Sequence, residues 1–306
     1  MWYPSYYPAF SCIGGACRHS CCMGWEIDID PDTYAFYRTL SGNLRARFDH
    51  AIEEGDPPHF RLQEGERCPF LNQGNWCEII LTLGDSALCE ICREHPRYYN
   101  ETSYGLEMGL GMTCEEAARL ILSQEEPVML IADDDDREPI GEDLWECTLL
   151  THRQTVLTQL QDRSRPLKER LCSLLATVRC SLPAFEPSVS LLTSLEILTP
   201  EWRALLASLA EQSDWDTVPM AEHEREYEQI AVYLAYRYLI GARDDDDLCA
   251  RTIFCAFGPV LLATLAAKRK TAFADRVELA RLFSTELEYS DENLDTLFSF
   301  FCERKE

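Results

Sequence analysis

The stretch Cys12-Ile13-Gly14-Gly15-Ala16-Cys17-Arg18-His19-Ser20-Cys21-Cys22 places four thiols within eleven residues. Thiolates are soft ligands, and a cluster of them selects zinc, copper(I) or an iron–sulfur cluster. The two glycines let the backbone turn tightly enough for sulfurs to converge on one centre. Five further cysteines follow before residue 115: Cys68, Cys77, Cys89, Cys92 and Cys114. Cys89 and Cys92 share one face of a short helix. Thr113-Cys114-Glu115-Glu116 reads as a capping box, which puts Cys114 at the first helical position, where the dipole favours a thiolate.

Spacing does not choose the metal. Structural zinc sites use paired CxxC knuckles in a closed tetrahedron, whereas the first segment reads Cys-x4-Cys-x3-Cys-Cys and has its sole CxxC counterpart in Cys89–Cys92. Iron–sulfur clusters take four cysteines at varied spacing, so zinc and iron stay open. Nine thiols exceed what one centre needs. An extended backbone would turn the neighbours Cys21 and Cys22 to opposite sides, so that one ligates while the other packs nearby. The candidate ligands rank Cys17, Cys21, Cys22, Cys68, Cys77 and Cys92 first, then Cys12 and Cys114, with Cys89 last. The six later cysteines, Cys147, Cys172, Cys180, Cys249, Cys255 and Cys302, read as small packed hydrophobes.

These thiols must be carried by a chain of 306 residues with a formal charge of −25. That charge repels nucleic acid, whose recognition rests on Lys and Arg contacts to phosphate, and attracts basic partners such as lysine side chains. No apolar run is expected to reach the roughly 20 residues of a membrane helix. Met1-Trp2-Tyr3-Pro4 lacks the features of a signal peptide, so a cytoplasmic location is expected. In that compartment dense cysteines read as metal-binding or catalytic rather than disulfide-bonded.

The positioning elements are legible in outline. Residues 1–11 read as an aromatic extended arm. Trp25 to Asp30 alternates apolar and acidic residues, a strand signal. Asp30-Pro31 opens a helix running to about Glu54. A short strand is expected at Phe60-Arg61-Leu62. Cys68 and Cys77 lie on the two arms of a hairpin closed by Asn72-Gln73-Gly74-Asn75, and Ser86 caps the helix of Cys89 and Cys92. The fold class is mainly α, with a cysteine-rich α+β N-terminal portion packed on a C-terminal helical domain. Its divisions are 1–122 for the cysteine-rich domain, 123–143 for an acidic linker with Asp133 to Asp136, and 144–306 for the helical domain. Helices are expected over 142–163, 166–180, 188–198, 200–212, 220–241, 246–269, 271–288 and 291–303, with Ile230 to Ile240 central.

A longer pattern emerges from the same residues. Phe10-x-Cys12-Ile13-Gly14-x-x-Cys17-x-x-x-Cys21-Cys22-x-Gly24-Trp25-x-Ile27 resembles the start of the flagellin lysine-N-methylase family, within a wider CxxCxxCC group of zinc- or iron-chelating proteins. The likeness continues through Asp30-x-x-Thr33-Tyr34, Cys68-Pro69-Phe70-Leu71, Cys77, Leu83-Gly84-Asp85, Cys92-Arg93-x-x-Pro96-Arg97 and Cys114-x-Glu116-Ala117-Ala118-Arg119-Leu120. Two departures are visible. The first spacing is x4 rather than x2, and Thr113-Cys114-Glu115 stands where the family usually reads Ser-Cys-Pro.

The resemblance implies transfer of methyl groups from S-adenosylmethionine to lysine amines of flagellin, with a [4Fe–4S] cluster. The partner it implies is flagellin; from the charge and the apolar pattern above, neither nucleic acid nor membrane is expected as a partner. A lysine amine, with a pKa of about 10.4, must lose its proton before it attacks. Burial in an aromatic slot helps. Trp2, Tyr3, Tyr6, Tyr7, Trp25, Trp76, Tyr98, Tyr99 and Tyr104 are the local supply, and Asp28, Asp30 and Glu107 are carboxylates that could orient the amine. For the donor, Arg93, Arg97 and Arg119 could grip a carboxylate, and Gly109 and Gly111 could admit close backbone approach. No catalytic residue is assigned. The rival reading is a zinc-stabilised flagellin-binding or metal-chelating protein without catalysis.

Overall fold

The computed structural model describes residues 1–133, 143–212, 214–215, 220–267 and 272–303. It divides into two compact units. One comprises residues 11–97 and 114–116; the other comprises residues 1–10, 98–113 and 117–306. This partition differs from the three consecutive stretches expected from sequence, because the aromatic N-terminal arm and residues 98–113 join the helical unit.

In the smaller unit the alternation at 25–30 does bury Ile27 and Ile29. It yields an isolated bridge, Asp28 to His59, rather than a strand. His59–Phe60 is already paired antiparallel with Ile52–Glu53. Asp30 caps helix α1 (Pro31–Thr39), accepting from Thr33 N. The single helix expected to about Glu54 is two. Leu40 turns extended, Gly42 adopts φ 65°, and α2 (Gly42–Ala51) follows. A left-handed φ is cheap only for glycine, so Ser41-Gly42 marks the break. The core is aromatic: Tyr37 stacks on Phe48 with centroids 4.1 Å apart, and Phe70 packs on Phe48 and Phe60. Each fully buried ring of this kind contributes about 1.5–3 kcal/mol. Helices α3 (Glu78–Leu83) and α4 (Glu90–Glu94) complete the unit.

In the larger unit, strands 97–102, 105–110, 2–4 and 130–132 lie side by side in that order. The N-terminal strand sits between parallel and antiparallel neighbours, Trp2 opposite Glu107 and Ala132. The segment expected as a linker therefore supplies a strand, Leu130–Ala132, and buries Val128. A three-residue strand inside a five-residue apolar run, Val128 to Ala132, is too short to announce itself between acidic neighbours. Asp134 to Asp136 of the acidic run lie outside the described residues.

The helices of this unit are α5 (Glu115–Leu122), whose first two residues belong to the smaller unit, α6 (Leu144–Leu160), α7 (Leu167–Thr177), α8 (Phe185–Ser194), α9 (Pro200–Ala207), α10 (Glu224–Tyr238), α11 (Asp245–Ala267), α12 (Phe273–Phe283) and α13 (Asp291–Cys302). The molecule is mainly α, as its periodicity indicated. Thr199 and Ser290 cap α9 and α13 through their side chains. At its C-terminus α12 widens into a π-helical turn, Ser284–Glu288. Helices α10 and α11 are buried along almost their whole lengths. By length and composition α11 is apolar enough to cross a membrane, contrary to expectation. The acidic cluster at its start and Arg251 hide the run from a linear reading, and 94% of its most apolar window is buried within the fold. Cys255 is a packed hydrophobe, as expected. Cys180 and Cys249 are not: they form a disulfide, with Cα atoms 7.2 Å apart.

Candidate metal centre

All nine N-terminal thiols belong to the smaller unit. They fall into two sets. Cys68 and Cys89 are part of its aromatic core, and Cys22, Cys77 and Cys92 pack against that core. Cys12, Cys17, Cys21 and Cys114 lie outside it.

Local structure explains the inner set. Cys68 N donates to Cys22 O at 2.9 Å, which fixes the first cysteine segment to the second. The expected hairpin is present as a single bridge between Leu71 and Cys77. Its turn is held by Asn72, whose Oδ1 accepts from Gly74 N and Trp76 N, and by Asn75 at φ 57°. Cys89 stands at the N-cap position of α4 and Cys92 is its middle residue. Ser86 does not cap that helix; it lies in the 3-10 turn Asp85–Ala87. Asp30 Oδ2 instead accepts from Glu90 N at 2.7 Å.

Electrostatics follow from this crowding. Burial pushes the Cys68 thiol up to about 12, with Cys22, Cys77 and Cys89 adding to the effect. Cys77 is raised by burial and by Cys22 and Cys89. Cys89 is lowered because the Cys92 thiol donates to it, against burial, and Cys92 rises in turn. Cys21 and Cys22 pair likewise: the Cys21 thiol donates to Cys22, whose pKa falls to about 7 despite burial, helped by Ser20 and Arg67. The bond from Cys21 does most to make Cys22 the thiolate end, with Ser20 next and the Arg67 charge adding the least. The two neighbours therefore face one another across a turn rather than pointing apart as an extended backbone would require.

The outer set is tied to the start of α5. Glu115 accepts from Arg18 N at 2.9 Å and from Arg18 Nε at 2.7 Å, and the Cys17 sulfur lies 3.8 Å from Glu115 Oε2. Burial would raise the Glu115 carboxyl, but the Arg18 bonds outweigh it and hold it low. Helix α5 begins at Glu115, so Cys114 stands just before the helix and not at its first position. Gly14 and Gly15 have a different task from the one expected. A Cβ on Gly14 would lie 2.3 Å from the Trp76 ring, and one on Gly15 would lie 2.4 Å from Gly74 O. The glycines admit an indole, and that contact shapes the loop.

The donor chemistry suits a thiolate-ligated centre: five sulfurs from three chain segments lie in or against one core. Among the described residues, however, no three His, Cys, Asp or Glu side chains already stand in coordination geometry. Two thiol–thiol contacts, Cys21 with Cys22 and Cys89 with Cys92, occupy sulfurs that a metal would have to claim.

The other sequence candidates are placed as follows. Asp28 is exposed. Asp30 is a double cap, and its two backbone donors hold its carboxyl low against burial. Glu107 is committed to Arg153 and Tyr104. Arg93 Nε meets Glu94, and Arg97 donates to Arg93 O. Arg119 is exposed on α5. Gly109 faces the Tyr98 ring, 2.2 Å from a Cβ placed there, so it serves packing rather than ligand approach, and Gly111 is buried. The arginines 93 and 97 fall in one unit and the two glycines in the other. Glu115, visible in the sequence only as part of a capping box, and Arg67 carry no spacing signal for a role beside the thiols.

No family model and no solved structure matches the chain. Among curated proteins, the lysine-N-methylase of Salmonella choleraesuis (strain SC-B67) is 30% identical over 141 residues, covering 42% of this chain and 33% of that protein. The lysine-N-methylase of Salmonella typhimurium (strain LT2) is 29% identical over 139 residues, with the same two shares. The flagellar biosynthetic protein FliU of Salmonella muenchen is 28% identical over 139 residues, covering 42% of this chain and 79% of that protein. The chain thus spans about a third of the length of the two curated lysine-N-methylases. The chain is thus similar over part of its length to proteins named lysine-N-methylase and FliU.

Proposed function

We propose that this protein is a lysine N-methyltransferase acting on flagellin, with S-adenosylmethionine as donor and an iron–sulfur cluster held by its inner thiols. The observation that carries the reading is the collection of nine thiols in one compact unit, in a chain similar to lysine-N-methylases. Its net charge of −25 favours a lysine-bearing partner.

Cys22, Cys68, Cys77, Cys89 and Cys92 are the residues that would hold the cluster. Its contribution would be Lewis-acidic or redox chemistry that the chain's own side chains do not supply. The chain's own part is to fix those sulfurs through the Cys22–Cys68 backbone bond, the Asn72 turn and the Asp30 cap, and to surround them with the aromatic core.

Anaerobic purification followed by iron, sulfide and zinc analysis is the test. The reading expects a brown protein with iron and sulfide in equal amounts. It also expects flagellin lysines that gain methyl mass when donor and reductant are added. Cys68→Ser is expected to lose the iron, while Cys12→Ser and Cys180→Ser keep it, with far-UV circular dichroism as the check on folding. Loss of iron in Cys12→Ser with retention in Cys68→Ser would move the centre to the outer thiols. A colourless protein with one zinc and unmodified flagellin would replace the enzyme by the binding protein.

A further inference from the structure

In the larger unit a cation is boxed in by four tyrosines. Arg237, in the last turn of α10, has its guanidinium carbon 5.0 Å from the Tyr98 ring centroid, 5.3 Å from Tyr238, 5.6 Å from Tyr289 and 5.9 Å from Tyr233. Glu288 closes the box. Its Oε1 accepts from the hydroxyls of Tyr233 and Tyr238, each at 2.9 Å. The Arg237 side chain is 13% exposed and that of Glu288 is not exposed at all. Tyr289, at the rim, is 47% exposed.

The fit between occupant and box is incomplete. Arg237 comes within 3.7 Å of Glu288 Oε1 and donates its one close hydrogen bond to the Tyr233 hydroxyl instead, at 2.6 Å. Glu288 Oε2 is buried without any hydrogen-bond partner. A buried acceptor left unmatched costs free energy that a better-shaped donor would recover. Glu288 ends the π-helical turn Ser284–Glu288, a backbone form that recurs at functional sites.

A planar guanidinium cannot lie among four rings and also turn a donor edge to Oε2. An alkylammonium can, because its N–H bonds point in separate directions while its methyl or methylene groups rest on the ring faces. Aromatic boxes bind such cations through the negative face of each ring. Exchange of one monocation for another leaves the charge beside Glu288 unchanged, so no bare carboxylate is exposed to the protein interior. Tyr289, against which Arg237 packs, is half exposed, so that wall of the box borders solvent and offers Arg237 a way out.

We propose that this tyrosine box is a binding site for the ammonium of a lysine side chain or of its mono- or dimethylated form, with Arg237 as the resident competitor that an incoming cation displaces. The identity of the ligand as a lysine rests on the methyltransferase reading; the box itself rests on the geometry above. A trimethylated ammonium has no N–H for Glu288 Oε2, so the site should prefer the dimethyl form.

The test uses the full chain and the probe Nα-acetyl-Nε-dimethyl-lysine methylamide, titrated by calorimetry with its trimethyl analogue alongside. Arg237→Ala removes the competitor and is expected to bind the dimethyl probe about tenfold tighter than wild type, a difference of roughly 1.4 kcal/mol. Adding Tyr289→Ala should reverse most of that gain. Tyr289→Ala alone, at an exposed position, should weaken wild-type binding by roughly 2–5-fold, as expected of one partly exposed ring. Saturable binding that prefers dimethyl over trimethyl and follows this order supports the site. Absence of tighter binding in a folded Arg237→Ala, or a gain that survives Tyr289→Ala, overturns it. Should Arg237→Ala fail to fold, unaltered probe binding by Tyr289→Ala overturns it instead. Flagellin methylation is scored separately. Probe binding without methylation leaves the box standing and removes the enzyme, whereas methylation without probe binding does the opposite.

Discussion

Replacing Glu107 by leucine strands a buried cation. Arg153 donates to Glu107 through two nitrogens, NH1 to Oε2 at 2.7 Å and NH2 to Oε1 at 2.5 Å. The two side chains are 5% and 4% exposed. NH2 also donates to the Tyr104 hydroxyl at 3.1 Å. Burial works against the Arg153 charge, but Glu107 and Tyr104 outweigh it and raise its pKa. Removing one member of such a pair leaves the other desolvated and unpaired, at a cost of about 3–5 kcal/mol. Removing both, as Glu107→Leu with Arg153→Met, is expected to fall within about 1–2 kcal/mol of wild type, since apolar replacements of similar volume are often neutral. Urea unfolding measures this. With a slope of about 3 kcal/mol per molar, the single variant should lose roughly 1.0–1.7 M in midpoint, and the double variant should regain most of it. A Glu107→Leu variant that unfolds at the wild-type urea concentration, and that Arg153→Met does not rescue, would refute the buried-pair argument. If that stable variant also lost flagellin methylation, Glu107 would return as the amine-orienting carboxylate expected from sequence.

Gly109→Ala drives a methyl into the Tyr98 ring and should cost about 1–3 kcal/mol by thermal denaturation, as overpacking does. Asp30→Ala removes the acceptor for both Thr33 N and Glu90 N; loss of a cap costs about 0.5–2 kcal/mol, and a double one should lie at the upper end in urea unfolding, with α4 the first region to exchange its amides. His95 is held down to about 4 by burial, with Arg97 adding repulsion. The unfolded chain therefore takes up this proton first, so the contribution is complete above about pH 6.5 and is lost as pH falls towards 4, by about 3 kcal/mol in all. His95→Gln should flatten that acid limb in a series of denaturation curves, and an unchanged limb would show that His95 titrates freely.

The fold class was legible because helical periodicity is local. Asp30-Pro31, Thr199-Pro200 and Ser290-Asp291 announced their helices, and all three side chains cap as their positions suggested. Breaks that depend on one backbone angle were not legible: Gly42 ends a run that periodicity alone would continue. Strands of two or three residues, such as Leu130–Ala132, were invisible because their partners lie far away in the chain. At the thiol centre, the cysteines themselves were evident from count and spacing. How they group was not, for Cys89 belongs to the core-packed set while Cys17 and Cys12 lie outside it.

By itself, the sequence determined which atoms are on offer: soft sulfur in one stretch, acid over the whole chain, and a family likeness carried by ordered cysteine blocks. Tertiary structure decided their company. Whether Cys22 meets Arg67, Glu107 meets Arg153, or Arg237 meets four tyrosine rings depends on contacts between residues up to 139 positions apart. No local propensity encodes such pairings, because packing chooses them only once the whole core has closed.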